Sequence, residues 1–179
     1  LVVLVALGVV RHQQGVRQGR EADALYKAAT AAYVAGQDKG EPADFRKAIE
    51  HFAALRQKHA GRLEADKAAV LEPLARGNLA VLEHDWTTAA QQQDEATKQQ
   101  QQFERDHKDS DSQTWARMRR DDVDKFRDFR LNQQVFVMAL EQSETALAAG
   151  KFAEARAALA SELPKVATTP AQEEQVADL

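Results

Sequence analysis

The stretch PADFRKAIEHFAALRQKHAG, residues 42–61, shows most directly how this chain folds. Its apolar residues recur at steps of three and four, which places them on one face of a helix; they are Phe45, Ala48, Ile49, Phe52 and Leu55. Pro42 opens the pattern and Gly61 follows it, and both residue types favour a helix boundary. The stretch therefore predicts an amphipathic helix that buries one face.

Similar spacing on both sides of this stretch predicts five further helices. We expect them at about residues 21–35, 62–83, 86–103, 112–149 and 152–163. Gly36 is expected to end the first of these helices, and Pro73 to kink or split the second. The glutamine-rich residues 91–102 are interpreted either as a solvated helical spacer or as a helix that awaits a partner.

The composition favours an all-α fold. Ala supplies much of the 44% hydrophobic content, and the chain has 8 Gly, 4 Pro and no Cys. Such a mixture favours helix over strand. We therefore expect irregular antiparallel helical hairpins, with neither a disulfide nor a thiolate metal site.

The charge distribution excludes one class of partner. The chain has 24 Lys and Arg against 28 Asp and Glu, a net charge of −4, and the two signs are interspersed. A protein that binds nucleic acid presents a basic surface to the phosphates. Nucleic acid is therefore not expected as a partner of this chain.

An apolar run opens the chain: LVVLVALGVV, residues 1–10, is followed at once by Arg11. A charge directly after an apolar helix is typical of the point where a membrane span reaches the headgroups. A span needs about 20 residues, so we interpret the run as the last part of a transmembrane helix. The alternatives are a buried core helix and the core of a signal peptide. The expected anchor residues are Leu1, Val2, Val3, Leu4, Val5, Leu7, Val9 and Val10.

These features divide the chain into three parts. Residues 1–20 are expected to form the end of the membrane helix and a basic connector, residues 21–164 a helical-hairpin domain, and residues 165–179 a flexible tail. The three arginines of the connector would by themselves place the domain in the cytoplasm. Orientation depends on both flanks of a span, so these arginines alone do not decide it.

A short pattern recurs three times at the start of a predicted helix: an aromatic residue followed three positions later by Ala. The instances are Phe45 with Ala48, Trp86 with Ala89, and Phe152 with Ala155. An aromatic residue at this position packs against the end of the preceding helix, and Ala one turn later allows close contact. The pattern therefore predicts helical hairpins.

These strings resemble the turn and second helix of tetratricopeptide repeats, although their aromatics stand 41 and 66 residues apart, where regular repeats give about 34. With the apolar start, the layout is similar to a bacterial family of single-span proteins with a tetratricopeptide-like soluble domain, best known as an ancillary subunit of the protein-export translocon. The comparable residues are Gly8, residues 11–14, Tyr26, Tyr33 and residues 48–53, within a region of about residues 1–100. The resemblance implies an inner or intracytoplasmic membrane, a periplasmic domain, and partners among other membrane-complex subunits or exported proteins.

The sequence contains no recognisable catalytic or metal-binding motif. The five His are scattered, and His51 and His59 stand two helical turns apart, too far to share a metal. A calcium loop begun at Asp109 would put Arg120 where the bidentate Glu belongs. Neither a nucleophile elbow nor a phosphate-binding glycine loop occurs in the sequence. We therefore expect no enzyme activity, no catalytic or metal residues, no cofactor and no small-molecule substrate.

Aromatic residues at helical spacing usually pack in a core, but Trp115 and Phe129 stand in a strongly charged stretch, where such packing is less expected. Trp115 and Phe129 are therefore the candidate partner contacts, since aromatic residues are favoured at protein interfaces. The expected function is that of a membrane-anchored interaction or scaffold protein, accessory to a membrane complex such as the protein-export machinery. The alternatives are a stoichiometric subunit that braces a photosynthetic or respiratory complex, and a sensor whose long helices transmit a signal.

Overall fold

The computed structural model describes the backbone of residues 2–158 and the side chains of residues 14–158. Nearly all of this part of the chain is helical. The helices are α1 (Val2–Lys39), α2 (Pro42–Lys58), α3 (Leu63–Leu82), α4 (Trp86–Asp106) and α5 (Ser110–Ala148). A sixth helix, α6, begins at Phe152 and is described as far as residue 158. The described residues contain no strand, so the predicted all-α class is confirmed.

The helices form a stack of hairpins in two layers. Short loops join α1 to α5 in sequence, so consecutive helices run antiparallel. α3 contacts α1 and α5 as well as its chain neighbours α2 and α4, whereas α2 and α4 do not contact each other. One layer therefore contains α1, α3 and α5, which are parallel, and the other contains α2 and α4.

α3 lies at the centre of the stack because it is apolar on nearly every side, as buried helices are. Leu71 and Leu74 are among its fully buried residues. Glu72 is a buried exception, and both of its carboxylate oxygens are paired, one with Arg56 at 2.8 Å and the other with Arg76 at 2.7 Å. These partners satisfy a charge that would otherwise be costly to bury.

The expectation that Gly36 ends the first helix is wrong. α1 continues through Gly36 to Lys39 because Phe45 of α2 packs against this turn, where a Cβ would lie 3.0 Å from three ring carbons. The residue after α1, Gly40, has a φ of +68°, which is the left-handed conformation of a glycine that follows the end of a helix. α3 likewise passes through Pro73 without being divided.

α1 joins the apolar start of the chain to the bundle in one helix. It continues without interruption across residue 20, where the sequence predicted the boundary between the connector and the helical domain. The side chains of the predicted anchor, residues 1–10, lie outside the described residues, as do residues 159–179, which include the predicted tail. Within the described part of the chain, no helix combines the length and the apolarity that crossing a bilayer requires.

α5 is longer than the layer that supports it. Phe126 of α5 packs on Gly77 of the parallel helix α3, which ends five residues later at Leu82. Residues 131–158, which we call the α5 arm, therefore project beyond α1 and α3, and the part formed by α5 is about 27 Å long. α6 packs along the arm through the buried Ala155.

The three aromatic and Ala pairs differ in how they pack. Phe45 is buried and meets the Tyr33 ring edge-on at 6.1 Å. Trp86 is half-buried against the core and stacks on His84. Phe152, however, is 71% exposed, so the packing that the pattern predicts for the third pair is not found in the described structure.

Candidate functional site

One face of α5 carries both of the predicted partner contacts. Trp115, Arg119, Asp122, Phe126 and Phe129 recur at steps of four and three residues, so they lie along one side of the helix. This side faces α1 and α3. Trp115 and Phe129 are about 21 Å apart along the helix axis, and their surroundings differ.

Trp115 bridges four helices. Its Nε1 donates a hydrogen bond to Oη of Tyr26 at 3.2 Å, and its ring lies 4.6 Å from the Phe103 ring. The Lys67 ammonium and the Arg119 guanidinium lie 5.5 and 5.8 Å from its ring centre, within the range of cation–π attraction. Burial raises the pKa of Tyr26, so the neutral phenol accepts the indole hydrogen bond at physiological pH. Trp115 is therefore already engaged within the fold.

The middle of this face is polar, and its side chains pair with one another, although Nε of Arg119 is buried without a hydrogen-bond partner among the described residues. Oη of the buried Tyr33 accepts a hydrogen bond from Gln37 Nε2 at 3.0 Å. Asn78 also contacts this phenol, and its Nδ2 donates to a backbone carbonyl of α3. Arg119 pairs with Asp122 at 2.7 Å. Burial raises the pKa of Tyr33, and the Asp122 carboxylate raises it further, so the phenol is neutral at physiological pH.

An open cleft lies at the far end of the same face, beside Phe129. Its volume is about 230 Å³, and it is lined by residues of α1, α3, α5 and the first turn of α2. The rings of Phe45, Phe126 and Phe129 supply apolar walls, and Gln37 and Leu82 contribute to the lining. Phe129 is half-buried, so part of its ring faces solvent. We call this site the phenylalanine cleft.

Two glycines create the phenylalanine cleft by letting phenylalanine rings approach helix backbones. A Cβ at Gly77 would lie 2.5 Å from Cζ of Phe126, and a Cβ at Gly36 would lie 3.0 Å from the ring of Phe45. An isolated glycine inside a helical pattern often has such a packing reason. In the sequence, Gly36 resembles a helix end and Gly77 stands alone in a helical pattern, so neither residue indicates the cleft.

The charge available at the phenylalanine cleft is positive. Asp122 and Lys125 both line the cleft, but Asp122 is already paired with Arg119. The Lys125 ammonium has no ion-pair partner among the described residues. Asp121 and Asp128 lie one turn away on α5 and are exposed. The cleft therefore combines apolar walls with one ammonium group that is available to a partner.

A polar seam joins α4 to α5 beside this face. Nε2 of the buried Gln100 donates to Glu104 and to a backbone carbonyl of α5. Arg120 pairs with Glu104, and Arg130 donates to Gln93 at 3.0 Å. The glutamine-rich part of α4 is therefore packed against α5, which rules out its interpretation as a solvated spacer.

The described residues include no group of three His, Cys, Asp or Glu side chains that could hold a metal ion. His107 instead pairs with Asp66 at 3.1 Å and links the end of α4 to α3. No protein-family model, curated protein or solved structure matches the chain.

Proposed function

We propose that this chain is a membrane-anchored, non-enzymatic scaffold that binds other proteins beside a membrane complex such as the protein-export machinery. The observation that carries the proposal is the phenylalanine cleft. Its volume of about 230 Å³ is below the roughly 300–1,000 Å³ of pockets that enclose small-molecule ligands. A cleft of this size suits one apolar side chain from a partner protein, which is the usual anchor of an interface.

The two candidate contacts have different weights in this proposal. Phe129 forms a wall of the cleft and is the primary contact. Trp115 is engaged with Tyr26 and Phe103, so it supports the margin of a partner that follows the surface of α5. The distance of about 21 Å between the two would accommodate an extended segment of about six residues.

The hairpin stack supports a tetratricopeptide-like interaction domain. In such arrays each hairpin packs on its neighbours, and the helices of one layer share a surface that binds partners. Here α1, α3 and α5 form such a layer. In two successive hairpins, the helices of this layer are α3 and α5, which begin at Leu63 and Ser110, 47 positions apart. Regular tetratricopeptide repeats have a period of about 34 residues, so this array is irregular.

The membrane anchor is the second part of the proposal. The apolar residues 1–10 end a membrane span, and the helical domain lies on the periplasmic side of an inner or intracytoplasmic membrane. The uninterrupted α1 supports this arrangement because one continuous helix would hold the bundle at a fixed distance from the membrane. Tethering raises the effective concentration of the domain for other subunits or exported proteins at the same membrane.

Affinity capture from detergent-solubilised membranes tests the proposal. The full chain is compared with Phe129→Ala and with a Met118→Ala control, and captured proteins are quantified by mass spectrometry. Met118 is 55% exposed on the same helix but does not line the cleft. We expect Phe129→Ala to reduce specific capture about tenfold and Met118→Ala to leave it unchanged. Equal capture by the two variants would reject the cleft as the binding site.

A chain that lacks residues 1–20 separates the two parts of the proposal. Partners that this truncated chain retains bind the helical domain. Capture that requires residues 1–20 but not Phe129, with partners in a fixed ratio, would instead favour a subunit that braces a membrane complex through its span. Protease protection in sealed membrane vesicles tests the proposed periplasmic side of the domain.

A further inference from the structure

Phe152 is the most exposed large apolar side chain in the described structure, with 71% of its surface accessible. It lies at the tip of the α5 arm, where α6 begins. The aromatics at the two corresponding helix starts, Phe45 and Trp86, pack against the core instead. Phe152 therefore presents an uncovered phenyl ring at one end of the molecule.

Phe152 cannot enter the phenylalanine cleft of its own chain. The cleft lies level with Phe129, and the uninterrupted α5 carries the chain about 28 Å farther, to Ala148. α6 starts only after Gly150, so Phe152 is held at the far end of the arm. A contact between this ring and a phenylalanine cleft must therefore join two molecules.

We propose that the phenylalanine cleft binds Phe152 of a second copy of this chain, an inference that rests on the proposed role of the cleft in docking proteins. One phenyl ring would enter a cleft of about 230 Å³ whose walls are the rings of Phe45, Phe126 and Phe129. Aromatic rings that meet edge to face gain stability beyond the area that they bury. The size and the surface of the cleft both fit this occupant.

The arrangement also provides one charge pair between the two copies. Glu154 follows Phe152 by two residues, and the cleft offers the Lys125 ammonium, which has no ion-pair partner in the described structure. Glu154 lies 3.0 Å from Lys151, but both side chains are more than half exposed, and such pairs contribute little to stability. When two copies associate, Glu154 therefore leaves Lys151 of its own chain and pairs with Lys125 of the second copy.

The symmetry of the assembly follows from the two surfaces. Phe152 lies at the tip of the arm and the phenylalanine cleft lies near its base, so each copy offers one donor and one acceptor. Two copies that exchange their Phe152 rings reciprocally form a two-fold dimer, whereas a contact made in one direction only produces a ring or an open chain of molecules. A mass that stops at two copies therefore indicates reciprocal exchange, and a mass that continues to rise indicates a contact made in one direction.

Sedimentation equilibrium of the full chain, in a density-matched detergent, tests the inference. We expect the average mass to rise with protein concentration, and Phe152→Ala to raise the dissociation constant about 10- to 100-fold through loss of one buried aromatic side chain. Met118→Ala removes a side chain of comparable exposure outside the cleft and should have no effect. Association of Phe152→Ala at wild-type strength, or a wild type that stays monomeric, would overturn the inference.

A mixing experiment tests directly whether Phe152 of one copy enters the phenylalanine cleft of another copy. Phe152→Ala retains the cleft but lacks the entering ring, and Phe129→Lys retains the ring but has a charged cleft wall. Each variant alone should be monomeric, whereas their mixture should form a complex that stops at two copies. The absence of that complex, with Phe129→Lys shown to be folded by circular dichroism, contradicts the inference.

A charge exchange provides a second measurement that does not depend on the folding of Phe129→Lys. Lys125→Glu and Glu154→Lys should each weaken association, and the double variant should restore it. Failure of the restoration contradicts the assigned contact.

The capture experiment keeps the two proposals distinct. A monomeric wild type whose partner capture still requires Phe129 would refute self-association and leave the proposed function standing. Loss of neither capture nor association in Phe129→Ala would refute both proposals.

Discussion

The two halves of the stack are held together by different interactions. α2 and α3 meet through apolar side chains such as Phe52 and Leu71, which are almost fully buried. α4 and α5 meet through a small apolar cluster around Phe103 and also through amides and charges, including the buried Gln100 and the pair of Glu104 with Arg120. Apolar burial supplies most of the stability of a fold, whereas hydrogen bonds contribute less and depend strongly on direction. The first half is therefore a platform, and the second is positioned on it.

The starts of the helices differ in the same way. α2 and α3 begin after Glu41 and Arg62, and neither side chain makes a capping hydrogen bond. α4 and α5 begin after Asp85 and Asp109, whose carboxylates accept hydrogen bonds from backbone N–H groups three residues later. The starts of α4 and α5 in the polar half therefore depend on capping hydrogen bonds from side chains, whereas the starts of α2 and α3 in the platform have none. α5, which carries a wall of the phenylalanine cleft and the arm, belongs to the half with the weaker packing.

The largest effect that we expect comes from the same truncation made in each half. Phe52→Ala removes a fully buried ring from the platform and should lower the free energy of unfolding by about 3–5 kcal/mol. Phe103→Ala in α4 should cost less, because Phe103 belongs to a small apolar cluster with Val70 and Ala116 and not to the main core. Urea denaturation followed by circular dichroism measures both values. Equal costs would show that the two halves do not differ in packing.

A pair of glycine substitutions tests the close contact that joins the halves. Gly77→Ala would place a methyl group 2.5 Å from Phe126, and overpacking of this kind costs about 1–3 kcal/mol. Gly15→Ala is the matched control, since its Cβ meets no atom within 4 Å; it should stabilise α1 by about 0.5–1 kcal/mol. Thermal unfolding measures both effects. Stabilisation by Gly77→Ala would mean that Phe126 moves aside freely.

The polar seam has a smaller expected effect, which is concentrated on α5. Gln100→Ala removes hydrogen bonds to Glu104 and to the α5 backbone, and such bonds contribute about 1 kcal/mol each. Hydrogen exchange should become faster in α5, while amides of α2 and α3 keep their protection. Uniformly faster exchange in all helices would show instead that the stack opens as one unit.

Local patterns account for how well the helices could be predicted. The apolar spacing in residues 42–61 gives α2 nearly as observed, Pro42–Lys58, because its core face and its boundary residues all lie within the stretch. Gly36 misled the prediction because its role is tertiary. A glycine that receives a ring from another helix has the same sequence signature as a glycine that ends a helix.

The candidate site could be predicted only in part. The spacing from Trp115 to Phe129 is sufficient to place both on one face of α5. It does not show that Trp115 is engaged with Tyr26, or that Phe126 reaches the backbone at Gly77, because these contacts join residues far apart in sequence. The face of α5 can therefore be predicted from the sequence, but the phenylalanine cleft cannot.

The smallest expected effect is a dependence on pH that belongs to the polar half. The hydrogen bond from the Ser112 backbone N–H lowers the pKa of Asp109, so the folded state favours the carboxylate. Because this pKa is depressed, the stabilisation is present above the unfolded value of about 3.9 and is lost as the pH falls through the folded value. Asp109→Asn keeps a capping side chain without a titrating group.

The pH dependence is therefore measured as the difference in melting temperature between wild type and Asp109→Asn at each pH. Wild type should lose thermal stability relative to Asp109→Asn as the pH is lowered from neutral into the acid range, and the loss should appear first in α5 amides. A constant difference between the two proteins at every pH would mean that the Asp109 carboxylate does not stabilise the start of α5. Since Glu41 makes no capping bond, Glu41→Gln serves as the control in the platform.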